Sequence, residues 1–471
     1  MNKNPKSLIY LPLLIAITLV IGMYIGNGDK QTNINPFNQE YSKIDRILNL
    51  VSKGYVDSVN VDSIVELTIP EMLSKLDPHT TYIPAKDLTI TNDELNGSFF
   101  GIGISFMILN DTINVVEIIS GGPSEKIGLL AGDKIVTIND STVTGEKATN
   151  DLVMKNLRGK ENTKVKVGIK RSTSDKLLSF EITRGEIPLN SVDASYMIDE
   201  QTGYIKVNKF GITTYKEFIT GLTKLKYDGA KRYIVDLRGN GGGFMEASIV
   251  MANEFLPSNN SIVMTKGRDV SNNRNILSDG NGSFTNEDVI ILIDEFSASA
   301  SEILAGAIQD NDRGLIVGRR SFGKGLVQQQ LELPDSSAIR LTVARYYTPS
   351  GRCIQKEYNT GNGYDYSNDI LERYNHGEFM TKDSIKFNEE YIYQTAHGRT
   401  VYGGGGIMPD IFVPSDTMGV TSYYLDVLNK GLLQKFAFRF TELNRDKLKD
   451  IKTYDQFLEQ KPSDRTLLLM L

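Results

Sequence analysis

From residue 203 onward the chain alternates short apolar runs with amphipathic ones, and no other feature narrows its fold as far. Residues 203–210 (GYIKVNKF), 232–238 (RYIVDLR), 289–294 (VIILID) and 315–318 (LIVG) are short and rich in β-branched residues. Residues 214–227, 246–255 and 302–309 have helical texture. Strands separated by helices imply an α/β sheet with helices packed on it. Residues 326–333 and 338–347 add a β-rich end. Residues 356–400 are polar and tyrosine-rich and are expected to form a long surface excursion, after which the tail from Ser422 is helical.

Upstream the texture differs. Residues 98–106, 113–119, 134–139 and 165–170 read as strands punctuated by glycine, with a loop and short helix over 121–133. Residues 41–57 place Ile44, Ile47, Leu48 and Val51 on one helical face. Residues 63–76 are also helical, with Pro70 expected to start a new helix and Asp77-Pro78 to stop it. Residues 8–26 carry no charge, and a helix of that length spans a bilayer core of about 30 Å. Lys3 and Lys6 precede the run and no cation follows until Lys30, so the N-terminus is expected in the cytoplasm. This predicts a single-pass anchor in the inner membrane with the rest of the chain extracytoplasmic, in the periplasm. A cleaved signal peptide is the alternative and leads to the same compartment.

Lys and Arg total 52 against 58 Asp and Glu, a net charge of −6, which argues against a nucleic-acid partner. One cysteine, Cys353, and 3 histidines exclude an internal disulfide and make a metal site or cofactor unexpected. Cys353 reads as a packed thiol.

The densest chemical signal is residues 294–310 (DEFSASASEILAGAIQD), where an apolar strand gives way to a small-residue turn and a helix. A serine there stands at the C-terminal edge of a sheet, beside unpaired helix N–H groups that can stabilise an oxyanion. Equally, Ser299 and Glu302 fit a capping box with no chemistry. A nucleophile needs a base; His79, His376 and His397 are poorly placed for one in sequence. Lys324, between two glycines, is the other candidate, with Gln328 on the same face of an extended chain. As a base it must be neutral, which burial can impose. Residues 318–324 (GRRSFGK) match the start of a phosphate-binding loop, but Gly325 stands where a hydroxyl is required. Residues 236–243 (DLRGNGGG) read either as a nest of amides for an oxyanion or as a plain turn.

Residues 100–104 (FGIGI) resemble the carboxylate-binding loop of PDZ domains, which hold an extended peptide by strand addition. Together with residues 76–82 (LDPHTTY), 297–302 (SASASE), 323–328 (GKGLVQ), 344–352 (ARYYTPSGR) and 397–410 (HGRTVYGGGGIMPD), in that order, they make the chain resemble a carboxyl-terminal processing peptidase, or tail-specific protease. The resemblance runs from about residue 41 to 414 and implies an α/β protease core with an inserted β-rich PDZ domain, an N-terminal helical element and a membrane-anchor helix. The corresponding domains are 1–27 (cytoplasmic tip and anchor), 28–88 (helical region), 89–175 (PDZ), 176–414 (protease core) and 415–471 (C-terminal helices).

The resemblance also implies a serine endopeptidase working through an acyl-enzyme, with Ser299 as nucleophile, Lys324 as base and Gln328 as its holder. An oxyanion hole comes from Ala300 and a glycine, Gly242 or Gly243. Substrate tails are engaged at Gly101, Ile102, Gly103 and Ile104. The partners it implies are protein substrates with apolar or disordered carboxyl-terminal tails, with the membrane and a second copy of the chain as further expectations. A tethered PDZ adaptor that binds tails without cutting is the alternative. The apolar end, residues 464–471, reads as a packed helix or as a ligand for a neighbouring PDZ groove.

Overall fold

The computed structural model describes residues 37–460 except 360–362, 387–388, 418, 449 and 452. The expected anchor, 8–26, and the apolar end, 464–471, lie outside the described residues. Among the described residues no helix is long and apolar enough to cross a membrane. The chain divides into two units, 1–72 and 73–471. Phe37–Gly54 is one helix of the first unit. The helix Val61–Ser74 runs through Pro70 without restarting, contrary to expectation. A proline there forfeits one backbone donor, and the rest of the helical ladder carries the segment across.

In the second unit, residues 104–183 form a small β domain. Its sheet has the order Ile104–Leu109, Thr112–Ile118, Lys134–Ile138, Lys164–Lys170, Leu178–Thr183, so Ile104–Leu109 is an edge strand. The sheet thus runs past residue 175 to Thr183. Ile113, Val115, Ile135, Val167, Ile169 and Ile182 fill its core, each fully buried and each contributing about 1.5–3 kcal/mol of transfer free energy. The single strand expected over 98–106 breaks at Gly103, whose φ of 78° sets the preceding residues on another path. Ser98–Gly101 instead pairs antiparallel with Gly185–Pro188, so the chain enters and leaves the domain through one two-stranded stalk.

The larger body is an α/β layer. Its sheet order is Val192–Met197, Thr202–Val207, Arg232–Asp236, Asp288–Ile293, Leu315–Gly318, Ile411–Phe412, parallel after the first, antiparallel pair. The helix Ala300–Asp310 is buried at every position, which explains its small residues. At Gly306 a Cβ would meet Thr348 Cγ2 at 2.8 Å. The C-terminal end of this helix holds an ion pair, Asp310 to Arg352 at 2.7 Å, with both side chains fully buried. A second sheet carries Thr81–Ile83, Ala338–Tyr347, Ser261–Gly267 and Arg274–Leu277, with Leu326–Glu332 along the other side of Ala338–Tyr347.

Residues 356–400 are not simply a surface excursion. Lys356, Tyr366, Arg373, Glu378, Phe379 and Ile385 are buried. Arg373 donates to the carbonyls of Arg320 and Ser321, and Arg320 pairs with Glu378. The segment therefore braces the loop that precedes Lys324. Its polar composition concealed this because half of these buried groups are charges, satisfied by ion pairs and by backbone carbonyls of the 320–321 loop.

Candidate active site

The strand Asp288–Ile293 ends in a turn whose backbone is held by its neighbour loop. Asn240, fully buried, accepts the N–H of Ala298 at 3.0 Å and the hydroxyl of Ser301 at 2.9 Å on its carbonyl oxygen. Ser297 donates to the carbonyl of Leu237 at 2.8 Å, and the Gly239 N–H reaches Asp294 at 2.9 Å. These bonds stitch residues 237–240 to residues 294–301. At the turn's apex Ser299 has φ 56° and ψ −113°, a strained conformation for a residue with a Cβ. Such strain persists only where the surroundings over-determine it, as they do here.

Glu302 is the main constraint. It is 1% exposed, and its Oε2 accepts the N–H groups of Ser299 at 2.8 Å and Lys324 at 2.9 Å. Its Oε1 accepts Gly323 N–H at 2.7 Å and the Ser321 hydroxyl at 2.5 Å. Burial pushes this carboxyl's pKa upward. The Ser321 hydroxyl and the backbone N–H groups of Lys324, Gly323 and Ser299 oppose that shift, because each is a donor that favours the ionised carboxylate. Tyr346, also buried, places its hydroxyl on the carbonyl oxygens of both Ser299, at 3.0 Å, and Lys324. Two side chains thus tie the Ser299 turn to the Lys324 loop. The capping-box glutamate of the sequence is at the same time an inter-loop clamp.

Lys324 lies in a site closed enough to push its pKa below the ordinary lysine value. Burial is the leading cause and Arg340 the next, opposed by Glu302 and Asp77. Its Nζ donates to Gln328 Oε1 at 2.9 Å, and Gln328 Nε2 donates to the carbonyl of His79 at 2.6 Å. His79 sits in a turn built by Asp77, whose carboxylate accepts the N–H groups of His79 and Thr80 at 2.8 Å each. Burial, with Lys324 next, pushes the imidazole pKa down to about 4. The neutral ring hydrogen-bonds the Tyr366 hydroxyl at 2.7 Å. Behind it Lys356 is sandwiched between Phe322 and Tyr366, 4.0 Å from each ring centroid.

Ser299, Lys324, Gln328 and residues 241–243 line one cleft of about 570 Å³. Gly242 packs against the turn so closely that a Cβ would stand 2.8 Å from Ser299 Cβ. Of the two glycines expected at the oxyanion hole, Gly242 directs its N–H to Asn240 Oδ1 at 2.9 Å. Gly243 and Ala300 have no such partner among the described hydrogen bonds. Ala300 opens the helix, where the N–H has no partner within the helix.

In the small domain, the carbonyls of Ile102 and Gly103 accept the N–H groups of Ser124 at 2.9 Å and Ile119 at 3.1 Å. Gly101 ends the stalk strand and Ile104 opens the edge strand. Asn240, Tyr346 and Tyr366 join the site from positions that sequence reasoning did not single out, and Glu302 and the carbonyl of His79 join it in roles that reasoning did not assign them. Apart from Tyr366, which lies in the polar stretch 356–400, these residues stand inside the motif segments, and that was the one signal toward them.

Residues 201–365 match the family model of peptidase family S41, and residues 101–183 match that of a PDZ domain. The chain is similar to a carboxy-terminal-processing protease of Bartonella bacilliformis, 35% identical over 73% of this chain and 78% of that protein. It is similar also to a probable CtpA-like serine protease of Staphylococcus aureus, 30% identical over 74% of this chain and 69% of that one. Among solved structures, the photosystem II D1 C-terminal processing protease aligns over 78% of this chain and 91% of its own, at 24% identity and a TM-score of 0.39.

Proposed function

This chain belongs to peptidase family S41, as a carboxy-terminal-processing serine peptidase with a PDZ domain, and from that premise we propose that it cuts near the carboxyl terminus of protein substrates through a Ser299–Lys324 dyad. One observation carries the assignment: Ser299 and Lys324 face one cleft while Glu302 binds the backbone N–H of both. Neutral Lys324 takes the Ser299 hydroxyl proton as the oxygen attacks the scissile carbonyl. The oxyanion is held by the N–H groups of Ala300 and Gly243. The Lys324 ammonium then protonates the leaving amine, which releases the tail and leaves an acyl-enzyme. Lys324 next deprotonates a water that hydrolyses the ester. Gln328 Oε1 holds Nζ throughout.

The open edge of Ile104–Leu109 can pair with an extended tail as an added strand, its terminal carboxylate lying at residues 101–104. The uncharged run 8–26 would tether the enzyme to the inner membrane, facing it toward extracytoplasmic substrates. The test is a disordered protein with an apolar tail, incubated with the chain and followed by mass spectrometry. Cleavage is expected, and slower cleavage of the same protein with an amidated tail. Binding without cleavage would establish the adaptor reading instead.

Tyr346→Phe should lower kcat about tenfold with little change in KM, because it frees the two carbonyls that fix Ser299 against Lys324. The lost hydrogen bonds should also lower stability by about 1–2 kcal/mol. Steady-state kinetics and denaturant titration read the two effects. An unchanged kcat would remove Tyr346 from the positioning scheme.

A further inference from the structure

Arg340 sits in the strand Ala338–Tyr347, opposite Gln330 on one side and Thr81 on the other, and lines the cleft that holds Ser299 and Lys324. Among the described residues its side chain makes one hydrogen bond, to Gln330 Oε1 at 3.2 Å, and no ion pair. Most other arginines with buried side chains in this body are better satisfied, though Arg445 likewise has one hydrogen bond, to the carbonyl of Ala131, and no ion pair among the described residues. Arg319, Arg320, Arg352, Arg373 and Arg399 each pair with a carboxylate. Arg184 and Arg313 are bonded to several carbonyls. Desolvation without a compensating anion lowers the pKa of Arg340. The cleft walls repeat the imbalance: the guanidiniums of Arg274 and Arg340 share a single acid, Glu246, with Lys324 neutral in the working enzyme.

Taking the peptidase reading as given, the geometry points to Arg340 as a receptor for a substrate carboxylate close to the scissile bond. A guanidinium presents parallel N–H donors that fit a carboxylate bidentately, and a half-desolvated one gains more from such a partner than one in bulk water. The register fixes the place. Gln330, bonded to Arg340, lies two strand residues beyond Gln328, a step of about 7 Å. Because Gln328 holds Lys324 Nζ, the carboxylate belongs about two substrate residues from the bond that is cut. It is either an Asp or Glu side chain or the α-carboxylate of a tail already trimmed short. Either makes the cleft selective by a contact separate from the PDZ loop.

The test measures binding of short fluorescent peptides to the full chain carrying Ser299→Ala, which prevents turnover, with Arg340 intact or replaced as Arg340→Gln. Four peptides cover Glu or Gln at the flanking position, each with a free or amidated end. With Arg340 intact, the peptide bearing the recognised carboxylate should bind about tenfold more tightly than its neutral counterpart, as expected for one charge-assisted pair. Arg340→Gln should erase that preference and leave the neutral peptides unchanged. Loss of the Glu preference assigns the side chain; loss of the free-end preference assigns the α-carboxylate. A free-end preference that survives Arg340→Gln, with no Glu preference in either protein, belongs to the PDZ loop and overturns the proposal. Equal weakening of all four peptides also overturns it. Hydrolysis of the same peptides by the chain with Ser299 intact tests the peptidase reading separately.

Discussion

Ser299→Ala and Lys324→Met should each reduce peptide hydrolysis by roughly four orders of magnitude or more, since nucleophile and base act as one unit. The two variants should differ in stability. Ser299→Ala removes a small polar group from a strained turn and should leave the melting temperature nearly unchanged. Lys324→Met should raise it. Burial makes the ammonium form unfavourable in the folded protein, so the Lys324 pKa there lies below its unfolded value. A depressed folded pKa means that stability is greatest above the unfolded lysine value and is lost as pH falls toward the folded one. Methionine fills similar volume with nothing to protonate. The stability gap between variant and parent should therefore open below the ordinary lysine value and be complete once pH is under the folded one. The parent's activity should follow the same titration, rising with pH as the lysine loses its proton. Thermal melts and kcat/KM across one pH series check both. A Lys324→Met protein less stable than its parent at neutral pH would mean that the ammonium is well solvated and that lysine is no base.

This stored cost also explains which parts of the site could be read from sequence. Ser299, Lys324 and Gln328 stand in short motifs, so their pairing was legible once the order of the motifs was recognised. The choice between Gly242 and Gly243 was not legible, because a glycine run does not say which of its amides a neighbour captures; here the Asn240 side chain two residues away takes that of Gly242. Glu302 was legible as a helix cap but not as a clamp, because Ser321, Gly323 and Lys324 reach it only after the sheet closes. Tyr346 lies on a different sheet, and alternation along a strand predicts burial, not the two carbonyls it meets. Periodicity recovered the helix Thr214–Tyr227 and the strand Leu315–Gly318 at their observed bounds. It missed the burial within residues 356–400, where ion pairs are mixed with scattered apolar residues such as Phe379 and Ile385 that form no periodic stripe. The strand Leu178–Thr183 lies beyond the expected PDZ boundary at residue 175, yet its Leu178, Phe180 and Ile182 alternate with polar residues and pack into the PDZ core.

Glu302→Gln and Glu302→Ala separate what this carboxylate does for stability from what it does for catalysis. Alanine leaves three backbone N–H groups and the Ser321 hydroxyl without their buried partner, a loss of about 3–5 kcal/mol, as for other buried charged groups stripped of one partner. Glutamine keeps one acceptor oxygen but turns an NH₂ toward donors, so half of the clamp fails while the volume is retained. Its activity should fall by about 10²–10³, since displacement near 1 Å at reacting atoms carries a penalty of that order. The distinguishing readout is the acid limb of the pH–rate profile. The Glu302 charge raises the Lys324 pKa, so its removal should let that pKa fall further. Residual activity in Glu302→Gln should then persist to lower pH than in the parent, even as its maximum drops. A variant that was merely less folded would lose amplitude at every pH with the limb unmoved. A limb shifted to higher pH would mean that Glu302 is not the charge Lys324 senses, and would leave the clamp a purely structural device.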